Sequence, residues 1–207
     1  GCTHPVCLSE NPKDKRLRVS AMIEWDDYRY IIDCGPDFRY QMLRAGITKI
    51  NGILFTHEHA DHTAGLDDIR PFFYMNGDIP LYAHPRVFDS LHQRFDYIFK
   101  TENKYPGSPD VEEVEIDKDY SFKLGNTMVT AIEADHFLTK VLGFRIGDLT
   151  YLTDVKTISE EEKLKIRNSK VLVINALRHE KHNSHLNLEE ALALIEELKP
   201  KRTYLTH

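Results

Sequence analysis

Cysteine is scarce in this chain, with three in 207 residues. An odd count, with two of the three close together at Cys2 and Cys7, excludes a disulfide framework and makes a reducing, cytoplasmic setting the default. Long apolar runs are also missing. Nothing approaches the ~20 residues that span a bilayer, so no membrane segment is expected. Basic charge is in deficit, with 27 Lys and Arg against 33 Asp and Glu and a net charge of −6. That balance disfavours a nucleic-acid partner, which needs a basic stripe. It does not exclude a small anionic substrate, because a bound metal ion supplies local positive charge. No repeat, low-complexity tract or secretory leader is legible. The chain opens at Gly1 rather than Met, which leaves a removed leader open.

What is present suffices for a core. Hydrophobic residues make up 41% of the chain, and its length suits one large domain. Alternating or continuous apolar runs predict strands over 17–24 and 28–33, joined as a hairpin by Trp25-Asp26-Asp27. Further strands are expected over 53–56, 127–133, 149–153, 171–174 and 203–206. Leu188–Leu198 reads as a helix with Leu188, Ala191, Leu192, Ile195 and Leu198 on one face. Asn187 is its N-cap, Glu190 follows three residues on, and Pro200 stands past its end. A charged helix is expected over 159–167 and another over 86–99, with a loop over 101–110. This mixture, without a composition break, predicts one α/β domain over 1–207, with sheets covered by helices.

Four of the strands run into a residue that can bind metal: "ILFTH" at His57, "AIEADH" at His136, "LTYLTD" at Asp154 and "YLTH" at His207. Strand-end loops on a rigid scaffold are a common seat of chemistry. The densest of them is His57-Glu58-His59-Ala60-Asp61-His62. A solvated polar loop is the bland alternative. Imidazole and carboxylate are good ligands for zinc and related divalent metals. His57 and His59, two apart, suit one ion, and Asp61 and His62 suit a second. Asp154 can bridge two ions, and His136 and His207 can complete the two shells.

These residues resemble the metallo-β-lactamase superfamily, whose H-x-H-x-D-H signature follows a strand and opens a helix. "YIIDCG" at 30–35, "ADH" at Asp135-His136, "LTD" at Thr153-Asp154 and "LTH" at Thr206-His207 are similar to the family's other motifs. The resemblance implies an αββα sandwich with a dinuclear site at one edge. It places His57, His59 and His136 on one metal, Asp61, His62 and His207 on the other, and Asp154 between them. The stretch "HNSHLNLEEALALIEELKPKRTYLTH" is similar to the phosphodiesterase branch, which includes tRNase Z and phosphoribosyl 1,2-cyclic phosphate phosphodiesterase. In that branch a histidine just before this helix reaches the scissile phosphate, and His185 holds the matching position. His179, His182, His84 and His92 match nothing and are taken as surface or structural groups. The same branch carries a Cys-rich segment that binds a structural zinc. Cys2, His4 and Cys7 are similar to it, with His4 where a Cys is usual; two free thiols are the alternative. Cys34 is expected as a core residue. A metal ligand as the last residue predicts that the sequence is a domain trimmed at both ends.

The expected chemistry is hydrolysis of a small cyclic or nucleotide-like phosphodiester. Two divalent ions, zinc first and manganese or iron as alternatives, activate a water that Asp61 orients. His185 stabilises developing charge and protonates the leaving oxygen. Arg70, and Tyr105 beside Tyr97, Phe99 and Pro106, are candidate substrate contacts; an ion pair and core packing are their alternatives. Asp110, Glu112, Glu113 and Glu115 repel phosphates, which sets tRNA 3′ processing behind a small substrate. Thioester or lactone hydrolysis on the same scaffold is the second enzymatic reading, and a metal-binding interaction module is the non-enzymatic one. A homodimer is compatible with all of them.

Overall fold

Side-chain alternation along the strands dictates the layering. The computed structural model describes residues 2–207. One sheet holds β1 (Ala21–Trp25), β2 (Tyr28–Ile32), β3 (Gly52–Leu54), β4 (Ile79–Ala83) and β5 (Val111–Glu115) in that order. Its first pair is antiparallel and the rest are parallel. The second sheet holds β6 (Ser121–Leu124), β7 (Thr127–His136), β8 (Thr139–Ile146), β9 (Leu149–Tyr151), β10 (Val171–Asn175) and β11 (Arg202–Thr206). Strands β6 to β9 form an antiparallel meander, and β9, β10 and β11 are parallel. The helices are α1 (Pro5–Leu8), α2 (Phe38–Ala45), α3 (Ala60–Thr63), α4 (Arg70–Asn76), α5 (Pro85–Arg94), α6 (Asp96–Phe99), α7 (Glu160–Ile166) and α8 (Leu188–Leu198).

Successive strand residues face opposite ways. Tyr30, Ile32 and Leu54 therefore meet Phe122, Val129, Leu142 and Phe144 of the second sheet in a central layer. Ile31, Ile53 and Leu81 turn outward onto Phe38, Phe72, Val87, Leu91 and Ile98 of the covering helices. On the far side Ile132, Val141, Leu172 and Ile174 pack under Ile166, Ala191 and Leu198 of α7 and α8. Each such side chain contributes about 1.5–3 kcal/mol by leaving water. The sheets must therefore stack, and helices must cap both outer faces, which is the αββα sandwich. Among the described residues no helix is long and apolar enough to cross a membrane.

Helix α8 has the predicted bounds and cap. Asn187 Oδ1 accepts from the Glu190 N–H at 2.9 Å, and Glu190 Oε2 accepts from the Asn187 N–H at 3.0 Å. Elsewhere the structure departs from the sequence pattern. The first strand starts at Ala21, not residue 17. The Arg18 N–H donates to Asp37 Oδ2 at 2.7 Å and its carbonyl accepts from Gln41 Nε2 at 2.8 Å. Residues 17–20 are thus a strap tied down by side chains rather than a strand. The helix expected over 86–99 breaks at Phe95, where φ is −130° and ψ 39°, and becomes α5 and α6. The acidic stretch 111–115, for which no strand was expected, forms the edge strand β5 beside β4.

Candidate metal centre

Strand direction brings the candidate ligands together. β2 and β3 run parallel and deliver Asp33 and His57 at their C-terminal ends. β7, β9 and β11 also share one direction, since β8 lies antiparallel to both β7 and β9. They deliver His136, Asp154 and His207 to the same edge. The turn after β3 holds His57 and His59 before α3 carries Asp61 and His62.

Two ligand sets form there. His57, His59 and His136 make one, and Asp61, His62 and His207 the other, each offering three ligand atoms within 4.8 Å of one another. His57 Nε2 lies 2.9 Å from His59 Nδ1. Asp154 stands between the sets, its carboxylate forming one group with His57 and His62 and another with His136 and His185. Its Oδ2 is 3.1 Å from His62 Nε2 and its Oδ1 is 3.3 Å from His207 Nε2. His185 Nε2 also reaches Asp154 Oδ1, at 2.7 Å. Asp154 is held at φ +57°, a left-handed conformation that costs a non-glycine residue about 1–2 kcal/mol.

The surroundings fix which imidazole nitrogen faces the centre. Asp33 is fully buried and accepts from the Thr56 N–H and the Thr56 hydroxyl, both at 2.8 Å. With its own proton given to Asp33, the Thr56 oxygen accepts from His57 Nδ1 at 3.0 Å. Asp33 Oδ2 also accepts from His62 Nδ1 at 2.7 Å, and the Ser184 carbonyl accepts from His136 Nδ1 at 2.8 Å. All three rings therefore spend Nδ1–H on the protein and turn Nε2 inward, the arrangement a ligating histidine needs. His62 Nε2 is buried with no hydrogen-bond partner among the described residues. Only one proton fits between His57 Nε2 and His59 Nδ1. This donor set suits a divalent cation.

Charge agrees. Burial, then His62, pushes His57 well below its usual pKa, and burial lowers His136. Burial also works against protonated His62, but Asp33 and Asp154 overcome it and hold the ring at about 10. His207 holds the Asp61 carboxyl below its usual range. Burial works to raise the Asp154 carboxyl, but His185 and His62 hold it far lower.

Asp33, Gly35 and Gly65 are working residues that sequence reasoning missed. A Cβ on Gly35 would stand 2.1 Å from the Asp61 carbonyl oxygen, and one on Gly65 would stand 2.2 Å from the Gly35 oxygen. The "DCG" loop can lie directly beneath the ligand turn only because both lack a side chain. A strand-end Asp followed by Cys-Gly was the available signal.

Other candidates are placed elsewhere. Cys2 and Cys7 are exposed, the Cys2 sulfur accepts from the His4 N–H at 3.4 Å, and His4 turns Nδ1 to the Val6 N–H at 3.3 Å. The three do not converge as one ligand set among the described residues. Cys34 is buried in the core, as expected. Arg70 is engaged by Asp67 Oδ1, 2.7 Å from its Nη2, and lies over the Tyr97 ring. It forms the ion pair that was its alternative reading. Tyr105 is exposed on the 101–110 loop. Neither lines the cleft beside the centre. That cleft, of about 680 Å³, runs from Asp61 and His207 to Lys15, Arg16, Arg18 and Arg44.

Residues 28–207 match the β-lactamase superfamily domain. The chain belongs to that superfamily, and its two covered sheets are the metallo-β-lactamase fold. Within the superfamily it is similar to a diphosphatase of the PhnP family whose structure is solved. Identity is 37% and the TM-score 0.91, over 100% of this chain and 79% of that one. It is also 39% identical to an octanoyltransferase of Porphyromonas gingivalis over 100% of this chain and 42% of that protein. A ribonuclease Z of Parabacteroides distasonis is 32% identical over 45% of this chain and 33% of its own length. The chain thus spans less than half the length of these two relatives.

Proposed function

We propose that this chain is a metal-dependent hydrolase of small phosphodiesters. The observation that carries the reading is the convergence of both ligand sets on Asp154, with His185 bonded to the same carboxylate at 2.7 Å. His57, His59 and His136 would hold one divalent ion, Asp61, His62 and His207 the other, with Asp154 shared. Mixed imidazole and carboxylate ligation suits zinc first, and manganese or iron as well. Two ions in such a centre lower the pKa of water and neutralise charge on a phosphoryl group. Asp61, half-exposed at the cleft mouth and held ionised, would orient the attacking water. His185 donates from Nε2 to the leaving oxygen. Lys15, Arg16, Arg18 and Arg44, none of them in an ion pair among the described residues, draw an anionic substrate to the centre.

The PhnP-family diphosphatase supports a phosphorus substrate, because it matches this chain from end to end at 37% identity. The ribonuclease Z match covers under half of the chain, which keeps tRNA processing second. The acids of β5 lie on the edge strand of the first sheet and line no part of the cleft, so they do not bear on that choice. Acyl transfer, named for the Porphyromonas relative, is not carried over, because this chain spans 42% of that protein. Cys34 is fully buried and burial raises its thiol well above the usual range, so it offers no thiolate.

His185→Ala tests the reading against thioester or lactone hydrolysis, which would not need this imidazole. Hydrolysis of bis(p-nitrophenyl) phosphate should fall by about 10²–10⁴-fold, with metal content unchanged. Lost metal would instead make His185 a ligand, as its closeness to His136 and Asp154 allows. Two ions bound without turnover of any ester would favour the interaction module.

A second test follows from His62. In the metal-free protein it carries a proton through pH 8, since its pKa is held at about 10. A cation at Nε2 must displace that proton. Metal loading at pH 8 should therefore release at least about one proton per chain, with any ionised metal-bound water adding to it, read by titration calorimetry in two buffers of different ionisation enthalpy. Identical heats in both buffers would contradict it. The sign for the metal-free fold is the reverse. The raised pKa stabilises it fully below about pH 6.5, and that contribution fades as pH rises toward 10.

A further inference from the structure

We propose that Arg86 is a positioning residue for one metal site and not the other, a role that rests on the dinuclear reading above. The first ligand set draws from both sheets: His57 and His59 follow β3, and His136 ends β7. Something must fix the gap between them. One link is backbone to backbone, from the Leu142 N–H of β8 to the Thr56 carbonyl at 2.9 Å. The other is Arg86. Its Nε donates to Glu58 Oε2 at 3.2 Å, and its Nη2 donates to the Lys140 carbonyl of β8 at 2.6 Å. Glu58 is the residue between His57 and His59. Lys140 sits opposite Asp135 in the β7–β8 ladder, one step from the His136–Thr139 pair. A single guanidinium thus ties the turn bearing two ligands to the hairpin bearing the third.

Helix α5 makes the tie rigid. His84 caps its start, accepting the Arg86 N–H at 3.2 Å, and Val87, Phe88 and Leu91 are buried beneath it. At its other end Arg94 donates to the Glu58 carbonyl at 3.1 Å and to Thr63 Oγ1 at 2.9 Å. Both ends of the helix therefore grip the ligand turn. The second set has different supports, because His62 hangs on Asp33 and, among the described residues, no hydrogen bond or ion pair joins Arg86 to Asp61, His62 or His207. A planar fork with two separated donors can bridge a carboxylate and a carbonyl; an ammonium is a point charge.

The test is Co²⁺ titration of the metal-free chain, followed by d–d absorption, alongside Arg86→Met and Arg86→Lys. Wild type should take up two ions. In Arg86→Met one ion should bind about 10- to 100-fold more weakly and the other unchanged, with an altered spectrum for the weakened site alone. Arg86→Lys should restore little, and Glu58→Gln, which keeps an acceptor, should stay close to wild type. The side chain is 38% exposed, so the metal-free variants should melt near wild type. Two ions bound with unaltered affinity in Arg86→Met would overturn the role of Arg86 alone. So would equal weakening of both sites with a lowered melting midpoint, the mark of a merely structural contact. A wild type that binds a single ion would overturn the dinuclear reading, and this proposal with it.

Discussion

Asp154→Ala should leave a folded protein that no longer holds two ions and has lost on the order of 10⁴-fold or more of its phosphodiesterase activity. The size of the effect comes from sharing. Asp154 contacts His62, His185 and His207 together, at 3.1, 2.7 and 3.3 Å. Removing it takes a ligand from between both sets and the hydrogen-bond acceptor from His185 in one step. It also leaves the His62 ring only Asp33 at 2.7 Å and the more distant Asp61 at 3.6 Å as carboxylate partners. Residues that act as one unit give losses far larger than their separate contacts suggest. Metal content after dialysis and hydrolysis of bis(p-nitrophenyl) phosphate check it. A variant that keeps two ions, or keeps a tenth of the turnover, would remove Asp154 from the centre. Asp154→Asn separates shape from charge: it retains the outline yet lacks the charge that draws two cations.

The ligand turn was legible because a metal needs several donors of few kinds, and such donors at strand ends are rare by chance. His57, His136, Asp154 and His207 each follow an apolar run that the pattern marks as a strand, so the convergence was visible before the fold. Contacts that cross the chain were not. Asp33 reads as the end of "YIID", and nothing local says that it faces His62, 29 residues on. Arg86 reads as the start of a charged helix. The strap 17–20 alternates like a strand, but its backbone is satisfied by Asp37 and Gln41 side chains. Strand β5, "VEEVE", was hidden by its acids, which an edge strand can turn to water. Arg70 and Tyr105 drew attention by residue type. The cations that line the cleft lie instead just before the strap, within it and on α2, where the fold brings them to Asp61.

Asp33 supplies the second large expectation, and two substitutions split its roles. Asp33→Ala leaves the Thr56 N–H, the Thr56 hydroxyl and His62 Nδ1 without their acceptor, and both residues are buried. Breaking a buried charged pair from one side costs about 3–5 kcal/mol, so the metal-free protein should unfold at much lower denaturant. Asp33→Asn should act differently. Its amide oxygen can still accept from the Thr56 N–H, which forces the NH₂ toward Thr56 Oγ1 and His62 Nδ1. The hydroxyl can accept in turn. The imidazole can accept only by giving up its Nδ1 proton and keeping the one on Nε2, the nitrogen that faces Asp154. The substitution then costs less stability, about 1–3 kcal/mol, but occupies the ligating nitrogen and weakens the second ion about 10- to 100-fold. Denaturant unfolding of the metal-free variants and chelator competition of the loaded ones read the two quantities separately. If Asn and Ala lose metal affinity only in proportion to stability, Asp33 is a core carboxylate and nothing more. If Asn loses affinity out of proportion, the buried carboxylate sets the tautomer of His62, and through it the second site.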